Sequence, residues 1–169
     1  MDVSELMNDA LGRVRDLVRA AVEGLSDDDL AWRPDPEANS IGWLVWHLTR
    51  IEDDHVADLA GTEQVWTAQG WHARSGVPFE PADTGYGHSS DDVAAVRLDA
   101  EQLLGYADAV HDAVVAYVGS LTDEDLPRVV DERWDPPVTL AVRLVSVIGD
   151  GMQHAGQAAF VRGVIERRR

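Results

Sequence analysis

The 169-residue sequence contains no cysteine. This absence excludes a disulfide framework, a cysteine-ligated zinc ribbon and a cysteine nucleophile, so that any metal site must use nitrogen and oxygen ligands. No apolar run approaches the roughly 20 residues that a membrane-spanning helix needs, and the first residues lack the basic and apolar regions of a signal peptide. We therefore expect a cytoplasmic protein that makes no use of a membrane.

Basic residues are also scarce, since 14 Lys and Arg stand against 31 Asp and Glu, for a formal net charge of −17. This charge repels a phosphate backbone, and the only dense basic cluster is the terminal ERRR, so we expect no nucleic-acid partner. Apolar residues make up 45% of the chain. Because no composition break divides the sequence, residues 1–169 are expected to form a single domain with one core.

Helical periodicity dominates what is present. The first helix has an apolar stripe and ends near Gly24, with the stripe formed by Leu6, Ala10, Val14, Leu17, Val18 and Ala21. Three further long helices are predicted from periodicity, N-caps and glycine stops: residues 40–61, 91–119 (or from 92) and 139–166. No strand alternation is seen. The pattern predicts an all-α fold, a four-helix bundle with one long crossover loop.

The crossover loop, residues 61–90 between the second and third helices, is longer than ordinary connections in bundles. It is rich in Gly, Pro, Trp and His, and it includes His72 and His88. Long connections of this kind often carry function, so the loop is expected either to cover a pocket as a lid or to seal the end of the bundle.

Asp150 and His154 stand four residues apart in the fourth helix. They are separated by only about 40° around the helix axis, so both side chains leave the same face and can offer two ligands to one cation. The same spacing also occurs where an Asp simply orients a His. The helix is interrupted by glycines, which favours close approach of a neighbour or ligand; these are Gly149, Gly151, Gly156 and Gly163.

His47 lies in the apolar stretch WLVWHL of the second helix. A histidine without a partner is costly to bury, so His47 is either a satisfied core residue or a ligand. Metal sites in bundles are assembled from inward residues of facing helices. If the second and fourth helices are neighbours, His47, Asp150 and His154 converge.

Two segments, SIGWLVWHL and DGMQHAGQAAFVRG, resemble the hallmark segments of the DinB-like superfamily, close to its DUF664 and mycothiol-dependent maleylpyruvate isomerase branches. The resemblance implies a DinB-like four-helix bundle in which His47, Asp150 and His154 bind a divalent metal, zinc or nickel. It departs from the family pattern at Asp150, where Glu or His is usual. The shorter carboxylate still ligates divalent metals but has less reach.

The resemblance further implies an enzyme, a metal-dependent thiol S-transferase or isomerase. Its cofactors would be the metal and a low-molecular-weight thiol such as mycothiol or bacillithiol, its substrate a small electrophile, and its assembly a homodimer. Gln153, Gln157 and Arg162 are candidates for binding the cofactor or substrate, although Arg162 can equally form a salt bridge along its helix. The alternative is a non-catalytic bundle, metal-binding or metal-free, that acts as a stress-response or binding module.

The remaining histidines and tryptophans are expected to have structural roles. His55 is expected at a solvated helix position rather than at a pocket mouth, and His111 at the surface. Tryptophans outside the crossover loop are most simply core anchors or helix-start packing; they include Trp32, Trp43 and Trp134.

Overall fold

The computed structural model describes residues 2–168 and is mainly helical. Its helices are α1 (Val3–Val22), α2 (Asp27–Ala31), α3 (Ile41–Ala60), α4 (Val65–Ala68), α5 (Trp71–Ser75), α6 (Ser90–Ala95), α7 (Ala100–Val118) and α8 (Leu140–Arg168). A 3-10 turn, Asp123–Asp125, and a small antiparallel hairpin of β1 (Val129–Asp131) and β2 (Val138–Thr139) lie between α7 and α8. The long helices α1, α3, α7 and α8 form the bundle, which confirms the all-α prediction.

The long helices begin and end where the sequence provides caps. At the start of α3 the Ser40 hydroxyl accepts a hydrogen bond from the Trp43 backbone N–H at 3.1 Å. The same helix ends at Gly61, whose φ of +67° suits the left-handed conformation. Asp99 and Gln102 form a reciprocal capping box at the start of α7. These local bonds satisfy backbone groups that the helices leave unpaired.

Among the described residues, α3 and α8 are the helices that pack most extensively against each other, as expected for the second and fourth long helices. Helix α1 packs on α8 and α7, and α7 also packs on α3, so the four helices form a closed ring. Their apolar stripes meet in one core. Its fully buried side chains include Trp46, Leu44, Leu103, Val110 and Leu140.

The predicted third helix is broken in two, so that part of the prediction is wrong. Helix α6 ends at Ala95, and the chain is then non-helical until Asp99 caps α7. Val96 and Leu98, in the break, are buried in the core. The break contains no Gly or Pro. Burial of the Val96 and Leu98 side chains, rather than a helix-breaking residue, therefore decides the path of the chain here.

The crossover loop between α3 and α6 contains two short helices, α4 and α5, and is called the crossover segment from here on. The small hairpin was also missed, because its strands are too short to show alternation. None of the helices within residues 2–168 is long and apolar enough to cross a membrane.

The predicted stripe of α1 is confirmed at Val14, Val18 and Ala21, which are buried, and is wrong at Leu6 and Leu17. Leu6 and Leu17 are 54% and 38% exposed, whereas Met7 and Leu11 are buried. Helix α1 contacts both α7 and α8, so its buried face is set by two neighbours rather than by its most apolar residues. Trp134, predicted as a core anchor, is 65% exposed after β1.

Candidate metal centre

His47 on α3 and the pair Asp150 and His154 on α8 come together at the interface of the two helices. One nitrogen or oxygen ligand atom from each residue lies within 4.8 Å of the others. The two imidazole ring centroids are 4.9 Å apart, with the rings inclined at 73°. His47 is buried, while Asp150 and His154 are half-buried. The interface therefore holds two imidazoles and one carboxylate around a common point.

The ring of His47 is held in one orientation by the crossover segment. Its Nδ1 lies 2.5 Å from the backbone carbonyl oxygen of Thr84. A carbonyl oxygen can only accept, so Nδ1 carries the hydrogen and Nε2 keeps its lone pair. Burial lowers the pKa of His47. The residue is therefore neutral near pH 7, which is the form that binds a metal.

The ring of His154 has a similar arrangement within α8. Its Nδ1 lies 2.8 Å from the Gln157 side-chain oxygen, and its Nε2 lies 3.4 Å from Asp150 Oδ1. The hydrogen bond to Asp150 raises the pKa of His154. A cation bound between Nε2 and the carboxylate would take the place of that proton, while Gln157 would keep Nδ1 protonated and the ring oriented.

One carboxylate oxygen of Asp150 is unpaired, which also fits a bound cation. Its Oδ2 is buried and has no hydrogen-bond partner among residues 2–168. An unpaired buried carboxylate oxygen is costly, and native proteins rarely retain one without a function. Two imidazoles and one carboxylate are ligands that divalent transition metals accept. Despite its shorter side chain, Asp150 reaches the cluster, so the residues present fit a divalent metal.

Trp43 forms one wall of the cluster, a role that the interpretation as a core anchor did not include. Its ring stacks on His47 at 4.6 Å and 14° and meets His154 edge-on at 6.3 Å. Its Nε1–H donates to His88 Nδ1 at 3.1 Å, and His88 Nε2 donates to Asp83 at 3.0 Å. The sequence feature that could have indicated this role is the four-residue spacing of Trp43 and His47, which places both side chains on one helix face.

The crossover segment is fastened to α3 by Arg50, which is fully buried. The Arg50 guanidinium donates to the backbone carbonyl oxygens of Pro81 and Asp83, both at 3.1 Å, and to the Gln64 side-chain oxygen at 2.7 Å. These bonds hold the start of the crossover segment and the residues just before Thr84 against α3. Sequence reasoning did not single out Arg50, because an isolated arginine in a helix has no distinctive pattern.

Asp53, one turn after Arg50, holds the start of α4. It accepts hydrogen bonds from the backbone N–H groups of Val65 and Trp66, both at 2.8 Å, and from the Tyr106 hydroxyl at 2.8 Å. Tyr106 belongs to α7, so this buried network joins the crossover segment to two bundle helices. The crossover segment therefore packs over one end of the bundle. Within it, His72 contacts the ring of Trp66, and His88 contacts the ring of Phe79.

The three residues proposed to bind a cofactor or substrate have different surroundings. Gln157 contacts the cluster through His154. Gln153 is exposed, and its amide donates to the Gly149 carbonyl oxygen at 3.2 Å. Arg162 forms a salt bridge to Glu166 at 2.8 Å along α8, as the structural alternative proposed, and also donates to the backbone at the end of α1.

His55 is less solvated than expected. Its side chain is 30% exposed, and the Arg143 guanidinium lies 3.4 Å from its Nδ1. Among the glycines of α8, a β-carbon at Gly151 would lie 3.0 Å from Val14, whereas Gly149 has open space around it. Close helix packing therefore explains Gly151 but not Gly149.

Comparison with known proteins shows the family and agrees with the fold. The family model of the DinB superfamily matches residues 10–158. A solved structure described as the conserved protein of locus from Enterococcus faecalis has a TM-score of 0.90 and 28% sequence identity, and the match covers 96% of each chain. No curated protein is similar enough to count as a match. The family match spans most of the sequence, and the chain belongs to the DinB superfamily.

Proposed function

We propose that this protein is a divalent-metal-dependent enzyme, a thiol S-transferase or isomerase that acts on a small electrophile with a low-molecular-weight thiol. The observation that supports the proposal is the cluster of two imidazoles and one carboxylate, with one carboxylate oxygen buried and unpaired. Three protein ligands leave a position open for a further ligand, which distinguishes catalytic from structural sites. The resemblance to the family favours zinc or nickel, and nitrogen and oxygen donors are compatible with both metals.

When bound, such a cation supplies Lewis acidity and lowers the pKa of a thiol or water at its open position. The chain itself supplies orientation and charge. The Thr84 carbonyl and the Gln157 side chain fix the two imidazoles, and Asp150 provides a negative charge. The Trp43 ring shields the His47 side of the site from water.

The substrate would approach from the α8 side. The side chains of His154 and Asp150 are 19% and 29% exposed, whereas His47 is 6% exposed. Helix α3 and the crossover segment close the other side. Among residues 2–168, the partly open face next to α8 is therefore the route that we expect for a ligand.

Metal analysis of protein purified without a histidine tag tests the proposal. We expect a stoichiometric divalent metal in the natural protein and its loss in His154→Ala, with the fold intact by circular dichroism. His111→Ala removes a histidine of α7 that is outside the cluster and is expected to keep the metal. Absence of metal from the folded natural protein would favour a metal-free binding module and would contradict the proposal.

Activity is tested by following the thiol. A small thiol and an electrophile such as a chlorodinitrobenzene are incubated with the metal-loaded protein, and free thiol is measured over time. Metal-dependent consumption that is lost in His154→Ala supports a transferase. Metal binding without thiol consumption, with any of several thiols, would instead favour a non-catalytic metal-binding bundle or hydrolysis through bound water.

We also propose that the protein forms a homodimer through the outer face of α8. Val142, Val145 and Met152 are 52%, 67% and 37% exposed on this face, and Gly149 lies between them. In a chain of net charge −17, this stripe carries no charged side chain, so two copies can approach along it with little repulsion. Light scattering is expected to show a dimer for the natural protein and a monomer for Val145→Asp.

A further inference from the structure

A cavity of about 230 Å³ lies between α3 and α7, away from the metal cluster. Its walls are made mostly of small apolar side chains of these two helices, namely Val56, Ala57, Ala60, Val110, Ala113 and Val114. Helix geometry places the three members on α3 about 80° to 180° around the axis from His47. The cavity is therefore on another side of α3 and is distinct from the metal centre.

The base of the cavity is buried and its rim is open to solvent. The three valines of the wall are at most 4% exposed. Thr62 and Glu63, at the rim, are exposed, as is Ala113 on α7. A small molecule can therefore enter at the rim and bury its far end among the valines.

Asp53 also lies in the cavity wall, but its carboxylate is already paired. Its Oδ1 accepts a hydrogen bond from the Val65 backbone N–H, and its Oδ2 accepts from the Trp66 backbone N–H and the Tyr106 hydroxyl, each at 2.8 Å. The buried Arg50 guanidinium lies 3.5 Å from Oδ2 and balances the charge. Both carboxylate oxygens are bonded, so an apolar group beside Asp53 leaves no polar atom without a partner.

The charged groups at the rim do not favour a charged ligand. The Glu63 carboxylate and the Arg128 guanidinium are both exposed, and Arg128 donates to the hydroxyl of Tyr117, a wall residue, at 3.1 Å. These two charges have opposite sign and are screened by solvent. A charge carried into the buried base would lose its hydration and gain no partner, which is costly.

The volume of the cavity indicates the size of the ligand. Apolar cavities of roughly 150 Å³ take up benzene. At about 230 Å³ this cavity has room for a somewhat larger molecule, such as a pair of fused rings, but it is smaller than the sites of drug-sized ligands.

We propose that this cavity binds a small, uncharged, mainly apolar molecule of about the size of two fused rings. Removal of the ligand and of the valine and alanine side chains from water drives the binding. The proposal is independent of the proposed function, because the cavity shares no described residue with the metal cluster.

A pair of planar, uncharged probes tests this. Indole is mainly apolar, whereas uracil has a similar size but carries polar groups around its ring. Each is titrated into the full-length protein as purified, and the valine methyl NMR signals of Val56, Val110 and Val114 are followed. We expect indole to bind with a Kd on the order of 1 mM and uracil to bind at least about tenfold more weakly. The methyl signals of Val142, on α8, are expected to stay unchanged.

Two variants locate the binding. Ala57→Leu fills the cavity from α3, and Ala113→Phe fills it from the exposed side of α7. Each is expected to weaken indole binding at least about tenfold. Ala20→Phe places the same aromatic side chain at an exposed position of α1 and is the matched control, with unchanged binding expected. Circular dichroism and the thermal midpoint verify that each variant is folded, and a variant that fills a cavity is expected to be no less stable than the natural protein.

The proposal is overturned if indole does not shift the three valines, if uracil binds as tightly as indole, or if both filling variants are folded and bind indole normally. Loss of binding in Ala20→Phe as well would also overturn it, because the indole would then be bound elsewhere. Two variants are used so that misfolding of Ala57→Leu still leaves Ala113→Phe as a test.

Discussion

A β-carbon at Gly85 would lie 2.9 Å from the Nδ1 atom of His47. The same β-carbon would lie 2.9 Å from the ring of Trp46, and Gly85 has a φ of +89°. Glycine is therefore required here both for its backbone conformation and for space. The path of the crossover segment and the orientation of His47 depend on each other through this contact.

Gly85→Ala is expected to weaken metal binding by about tenfold to hundredfold, because it displaces the Thr84 carbonyl that orients His47. Calorimetric titration of the metal-free protein with zinc measures the change. Gly87→Ala is the control, since Gly87 has a φ of +78° but nothing within 4 Å of an added β-carbon. If both variants lose affinity equally, backbone strain rather than contact with His47 is responsible.

Gln157→Leu is expected to weaken metal binding by about tenfold with little effect on thermal stability. The substitution removes the acceptor for His154 Nδ1 and so frees the ring to rotate. Gln153→Leu removes an amide one turn earlier that does not contact the cluster, and it is expected to bind metal normally. Unchanged affinity in Gln157→Leu would show that the imidazole is oriented by Asp150 alone.

The free energy of unfolding is expected to fall as the pH rises, because the buried carboxyl of Glu52 becomes charged. It lies on α3 one turn from the buried residues Leu48 and Val56, and burial raises its pKa from 4.5 to about 7. The pKa of Glu52 is higher in the folded than in the unfolded protein, so ionisation of the buried carboxyl lowers the free energy of unfolding. This loss is absent below pH 4.5, grows between pH 4.5 and 7, and is complete above pH 7.

Glu52→Gln is therefore expected to raise the free energy of unfolding by about 2 kcal/mol at pH 8 and to have little effect at pH 4. Urea unfolding at several pH values measures the difference. Glu63→Gln changes an exposed glutamate shortly after the same helix and is expected to be neutral throughout. A pH-independent effect of Glu52→Gln would contradict the assignment.

Arg50→Met is expected to lower the free energy of unfolding by about 3 kcal/mol, because it leaves Asp53 without its buried ionic partner and several carbonyl oxygens without a donor. Thermal and urea denaturation measure the loss. Arg97→Met, at an exposed position, is the control and is expected to be nearly neutral. Proteolysis within the crossover segment should also become faster, since Arg50 holds that segment on α3.

The three clustered residues could be predicted from sequence because helix geometry is local. A spacing of four residues puts Asp150 and His154 on one face regardless of the rest of the fold, and a histidine within WLVWHL has to be satisfied or bound. The neighbouring position of α3 and α8 followed from the bundle architecture. The break between α6 and α7 did not, because it depends on burial of Val96 and Leu98 by distant elements.

The groups that orient His47 and Trp43 could not be predicted from the sequence, for a related reason. Thr84, His88 and Asp83 belong to an irregular segment, and no periodicity relates such residues to a helix some forty positions earlier.

The sequence by itself determined the class of fold, the extents of the first, second and fourth long helices to within a few residues, the exclusion of thiolate ligands and the helix faces that carry the histidines. These follow from interactions between residues close in the chain, where backbone geometry leaves few choices. Only the tertiary structure decided which backbone carbonyl orients His47 and that Asp150 has an unpaired oxygen. Those features arise from contacts between segments far apart in sequence, whose positions are fixed by packing of the whole core.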